Sequence, residues 1–175
     1  KKDVADEGHR ASAQWDSTKY RIVEFSTNNS ECIDIEIDNI VIDGIQMRLK
    51  GGGTNNDVID SEADIDKLIV RNCFIWLDIL DQSGTAIDPG SDIEVSNCII
   101  KSSGGGFNAI LIKDISGPLP RADIYNNTFI GGWFRAIRTE GICRAVNNLV
   151  RDAESEEVFG VNDNGSFTSD SDYNL

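Results

Sequence analysis

Ile93-Glu94-Val95-Ser96-Asn97-Cys98-Ile99-Ile100 decides the fold, because its pattern returns four more times along the chain. The other copies are Ile35-Glu36-Ile37-Asp38-Asn39-Ile40-Val41-Ile42, Leu68-Ile69-Val70-Arg71-Asn72-Cys73-Phe74-Ile75, Ala122-Asp123-Ile124-Tyr125-Asn126-Asn127-Thr128-Phe129 and Cys143-Arg144-Ala145-Val146-Asn147-Asn148-Leu149-Val150. Each has an aliphatic residue or alanine two places before the aligned asparagine and an apolar residue three places after it. The asparagines stand at 39, 72, 97, 126 and 147, so the spacings are 33, 25, 29 and 21 residues. Self-similarity at such periods marks a solenoid. The alternation of Ile93 and Val95 with Glu94 and Ser96 makes its units strands.

A second column advances in step with the first. Val58-Ile59, Ala86-Ile87, Ala109-Ile110, Ala136-Ile137 and Val158-Phe159 place bulky residues at 59, 87, 110, 137 and 159, with spacings of 28, 23, 27 and 22. The expectation is an all-β parallel coil of about five to six rungs over residues 21–175, with Ile22-Val23-Glu24-Phe25 in a partial early rung and residues 1–20 as an N-terminal cap or partial rung. Rungs stack about 4.8 Å apart, which predicts an inward column of Ile37, Val70, Val95, Ile124 and Ala145. The asparagines suit bends with unusual backbone angles, and their amides are expected to bond along the axis as a ladder. Asn108 is assigned to a loop. Ser169-Asp170-Ser171-Asp172-Tyr173-Asn174-Leu175 reads as the opening of another rung. Open strand edges invite pairing with another copy, so a homo-oligomer through the coil ends is expected.

Composition narrows the partners. Thirty acidic residues against sixteen basic ones give a net charge of −14, which disfavours nucleic acid and anionic membrane surfaces. No apolar run reaches the length of a membrane span, so membrane insertion is not expected. Cys73 and Cys98 directly follow column asparagines in consecutive rungs and read as stacked, buried thiols, with a disulfide as the alternative. Cys143 falls on an inward strand position, and Cys32 lies near the start of the first full rung. No C-x-x-C spacing accompanies them, and the sole histidine, His9, lies outside the repeats, so zinc is not indicated.

The five phrases, above all Ala122 to Phe129, together with Ile40-Val41-Ile42-Asp43-Gly44-Ile45, resemble the right-handed parallel β-helix proteins of the pectin lyase-like superfamily over about residues 20 to 175. That resemblance implies a right-handed coil and an extracellular or cell-surface setting, bacterial or phage. It does not select an activity, since the superfamily holds polysaccharide lyases, hydrolases, epimerases, phage tailspikes and adhesins.

The resemblance also places the cleft along the second column. Immediately after it stand Asp60, Asp88, Leu111, Arg138 and Gly160, which period 2 turns toward solvent. Asp60 and Asp88 are the candidate ligands of a calcium ion, and with Arg138 they are the candidate catalytic set for a uronate-containing glycan. Lys113, Glu140, Trp76 and Trp133 are candidate sugar contacts, with Phe134 a further aromatic of interest. Asp78 with Asp81, Asp163, and Asp170 to Asp172 are weaker acidic candidates. The Gly-His-Gly and Asn-Thr-Asp signatures associated with polygalacturonase-like hydrolases are absent. An arginine base would need a lowered pKa, which an acidic surface opposes. The expected function is therefore a module that binds or displays on polysaccharide without catalysis, ahead of a lyase or glycoside hydrolase acting on acidic glycans, and of a phage-fibre-like assembly segment.

Overall fold

The structure is a computed structural model that describes residues 18, 20–61, 65–79, 84–104, 107–113, 118–153, 159–161 and 165–172. His9, Asp81, Val158 and Asp163, and nearly all of the segment 1–20, lie outside the described residues. Among the described residues eighteen strands run in a repeating order through three six-stranded parallel sheets, a parallel β-solenoid. The first sheet is β1 (Arg21–Ser26), β4 (Gln46–Gly51), β7 (Phe74–Ile79), β10 (Ile99–Ser102), β13 (Thr128–Ile130) and β16 (Leu149–Arg151). The second is β2 (Glu31–Ile35), β5 (Asp57–Ser61), β8 (Thr85–Asp88), β11 (Asn108–Ile112), β14 (Arg135–Thr139) and β17 (Phe159–Val161). The third is β3 (Ile40–Asp43), β6 (Lys67–Arg71), β9 (Asp92–Ser96), β12 (Arg121–Tyr125), β15 (Ile142–Val146) and β18 (Ser166–Phe167).

The second column is in the register read from sequence. Ile33, Ile59, Ile87, Ile110, Ile137 and Phe159 are successive partners up the second sheet. In the third sheet Val70, Val95, Ile124 and Ala145 also align as expected and are buried. The first rung corrects the reading. Val70 is partnered by Ile42, whereas Ile37 is 66% exposed.

The phase error has a physical cause. Asn72, Asn97, Asn126 and Asn147 turn the chain from the third sheet to the first with φ between 52° and 57°, and Gly44 does so in the first rung with φ 73°. Asn39 also has a positive φ, 57°, but at the corner between β2 and β3. Both corners require left-handed backbone, which asparagine and glycine tolerate. The repeated phrase therefore matched a residue type at the wrong corner. With Gly44 restored the spacing to Asn72 is 28 residues.

The ladder lies one residue later than expected. Asn127 Oδ1 accepts from the Cys98 backbone N–H at 2.9 Å, and Asn127 Nδ2 donates to Val95 O at 2.9 Å and to Asn148 Oδ1 at 3.1 Å. Asn148 Oδ1 also accepts from the Asn127 N–H, and its Nδ2 donates to Ile124 O at 2.8 Å. Cys73 and Cys98 fill this column in the two rungs before. Both are buried free thiols rather than a disulfide, and Cys143 is buried and free as well. Burial pushes the Cys98 thiol well up from its ordinary value.

Part of the expected further rung is present at the end of the coil. β18 pairs with β15, Val146 bridges to Asp172, and the Asn147 N–H donates to Asp172 O at 3.2 Å.

Candidate functional site

A bend repeated in four successive rungs shapes the outside of the second sheet. Val58, Ala86, Ala109 and Ala136 drop out of the strand pairing while the residues on either side remain paired. Each of these four and the isoleucine after it is fully buried. Two consecutive residues therefore turn inward, and residues three apart share the outer face. Arg135 illustrates the geometry: a Cβ added to Gly160, the strand partner of Arg138, would lie 2.6 Å from Arg135 Cδ. Strict alternation assigns Asp57 to the inside, so Asp57 escaped the sequence reading. The doubled apolar pairs were the signal that could have found it.

The bend brings Asp57 beside Asp60 and, across the strand pair, Asp88. One carboxylate oxygen from each lies within 4.8 Å of the others. Asp60 and Asp88 are direct partners in the ladder, as the sequence predicted. They are not solvent-facing as expected, for Asp60 is half-buried and Asp88 is buried. Asp57 Oδ1 accepts from the Thr85 N–H at 3.1 Å, and Asp60 Oδ1 from the Ser61 N–H at 2.9 Å. Lys113 forms an ion pair with Asp88.

The electrostatics follow from crowding like charges away from water. Burial first, then the charges of Asp88 and Asp60, push the Asp57 carboxyl up to about 7. Burial and Asp88 push Asp60 up to about 6. Burial also raises Asp88, against the hydrogen bond and charge of Lys113. Burial works against the Lys113 ammonium, but its bond to Asp88 and the three carboxylates outweigh this and hold it above the ordinary lysine value.

Further along the same face the chemistry changes. Leu111 is buried between the acidic cluster and Arg138, and Arg138 pairs with Glu140 at 3.0 Å. Arg138 stands two strands beyond Asp88, the spacing expected from the sequence, and its partner Glu140 also acts by its charge on Asp88. Asn108 was expected in a loop. It is the first residue of β11, fully buried, partnered in the ladder by Thr85 and Arg135, and neither its Oδ1 nor its Nδ2 has a hydrogen-bond partner.

The aromatic candidates separate. Trp133 is fully buried in the core and cannot meet a sugar. Trp76 belongs to the first sheet, on another side of the coil. Phe134, partly exposed, stacks on Phe107 with centroids 5.5 Å apart and planes 1° apart, next to the start of the second sheet. Asp78 is tied to Arg48 on the first sheet, and Asp170 to Arg144 and Thr168, so neither joins the cluster.

Three oxygens within 4.8 Å suit a hard cation, because Ca–O distances of about 2.3–2.6 Å put oxygens on opposite sides of one ion about 5 Å apart. No protein-family model, curated protein or solved structure matches this chain.

Proposed function

We propose that this chain is a β-helix module of the pectin lyase-like kind that recognises an acidic polysaccharide outside the cell through the outer face of its second sheet. The observation that carries the reading is the cluster of Asp57, Asp60 and Asp88, with carboxylate oxygens within 4.8 Å of one another. These residues would hold a calcium ion, which would neutralise them and leave coordination sites for a sugar carboxylate. The Phe107–Phe134 stack supplies an apolar surface for a sugar ring at the edge of the face. Arg138 is engaged by Glu140 and Lys113 by Asp88, so among the described residues neither of these candidate bases is free beside the acids. Binding therefore fits better than elimination.

The test is thermal unfolding and polygalacturonate binding with and without calcium. With a Kd of about 10⁻⁴ M, calcium at a hundredfold excess over Kd stabilises the fold by about 2.7 kcal/mol. Asp60→Asn should lose both this gain and calcium-dependent glycan binding while keeping its circular dichroism. Absence of any calcium effect on the parent refutes the cation, and glycan binding that ignores both calcium and Asp60 refutes the site.

One observation favours a second reading, glycoside hydrolysis. Asp57, raised to about 7, keeps a proton near neutrality beside the Asp60 carboxyl. A proton donor and a carboxylate about 5 Å apart are the elements of a retaining hydrolase. New reducing ends from acidic glycans, lost in Asp57→Asn, would establish it. Ultraviolet-absorbing unsaturated products lost in Arg138→Ala would establish a lyase instead.

A further inference from the structure

We propose that the outer face of the first sheet is a second, cation-independent site, for a linear anionic polysaccharide lying along the coil axis. One outward column of that sheet runs Val23, Arg48, Trp76, Lys101, Ile130 and Arg151, each the strand partner of the next. Cations thus recur on every second rung, about 9.6 Å apart for rungs stacked about 4.8 Å apart. Between the first two lies Trp76, with the Arg48 guanidinium carbon 4.0 Å and the Lys101 ammonium 4.5 Å from its ring centroid. The indole N–H donates to Ser103 Oγ at 2.6 Å, which fixes the ring and with it both cations. Lys50 adds a charge in the neighbouring column, and Arg21 lies on β1.

The charges of this face are not cancelled as they are elsewhere. Asp78 bonds Arg48 at 3.0 Å and Asp152 approaches Arg151 at 3.3 Å, and with Glu24 these are, among the described residues, three acids against five cations. Among the described residues, Lys50 and Lys101 have no carboxylate within ion-pair distance, whereas on the other two sheets Lys67, Arg71, Arg138 and Arg144 each have one and Arg121 has none. In a chain of net charge −14 this excess on one sheet stands apart. The acids of the other sheets lie across the coil, and at physiological salt charges are screened over about 8 Å.

An extended polysaccharide with one sulfate or carboxylate per disaccharide presents its charges on one side at a repeat comparable to two rungs, which matches the spacing of the cations in this column. Single-stranded nucleic acid fits less well, because it needs open aromatic faces for its bases. The Trp76 ring is already engaged by two cations.

The experiment is fluorescence anisotropy of a labelled sulfated decasaccharide with the full chain in excess chelator, which removes any contribution of the calcium reading. Saturable binding is expected, weakening as salt rises from about 50 to about 200 mM. Lys50→Gln with Lys101→Gln should weaken it about tenfold and lower the salt slope by about two. Lys67→Gln on the third sheet should leave it unchanged, with circular dichroism confirming that every variant is folded. No binding at the lower salt, an equal loss in Lys67→Gln, or equally tight binding of a neutral decasaccharide or of a single-stranded oligonucleotide of the same charge would overturn the proposal.

Discussion

Replacing Asn127 by alanine tests the internal ladder most directly, because its neighbour Asn126 provides a matched control. Asn127 is buried, and its side chain serves Cys98 N–H, Val95 O and Asn148 Oδ1 at 2.9, 2.9 and 3.1 Å. Alanine leaves one N–H and one carbonyl without these partners, while Asn148 Oδ1 retains the Asn127 N–H at 3.1 Å. A buried group left unsatisfied costs about 1–3 kcal/mol, so two orphaned backbone groups, partly relaxed, should total about 3 kcal/mol. Asn126 instead holds the left-handed bend at φ 57°. Asn126→Gly should therefore change stability by less than about 1 kcal/mol, since glycine adopts that angle freely. Asn127→Gly should be at least as damaging as Asn127→Ala. Urea unfolding followed by circular dichroism, with the slope checked for constancy, measures all three. Equal losses at 126 and 127, or a loss below about 1 kcal/mol for Asn127→Ala, would refute the ladder.

Three further outcomes follow from the register and the site. Ile42→Ala should cost about 2–5 kcal/mol, the range for a buried isoleucine, and Ile37→Ala less than about 0.5 kcal/mol as a surface change; a reversed order in urea midpoints would restore the Asn39 phase. Val95→Asp places an unpaired charge in the third-sheet core and should abolish cooperative melting; a soluble variant with unchanged melting contradicts that register. The pKa values of Asp57 and Asp60 are raised in the fold, to about 7 and about 6, so the folded state binds more protons than the unfolded chain, whose aspartates titrate near about 3.9. Their stabilising contribution is full below that value and is lost as pH rises through about 6 to 7. Relative to Asp57→Asn, the parent should lose stability across that window without calcium, and a difference independent of pH would count against the shift.

The sequence alone was enough for the parallel coil, because each rung repeats a local alternation and stacking places like residues on like. It also gave the adjacency of Asp60 and Asp88, since both follow the same column, and the burial of Cys73, Cys98 and Cys143. The tertiary structure decided what local pattern leaves open. Asn39 and Asn72 satisfy the same backbone demand at different corners, so only strand pairing shows that Gly44 and Ile42 hold the first rung in phase. The second-sheet bend turns two successive side chains inward, which brings Asp57 to Asp60 and Asp88 and buries Asn108 where period 2 and loop composition say otherwise. Trp133 and Trp76 are alike as letters, yet one is enclosed by the core and the other stands between two cations on an outer face. The difference lies in which neighbouring rungs and corners close over each side chain, a property of contacts between residues more than twenty positions apart that no single repeat contains.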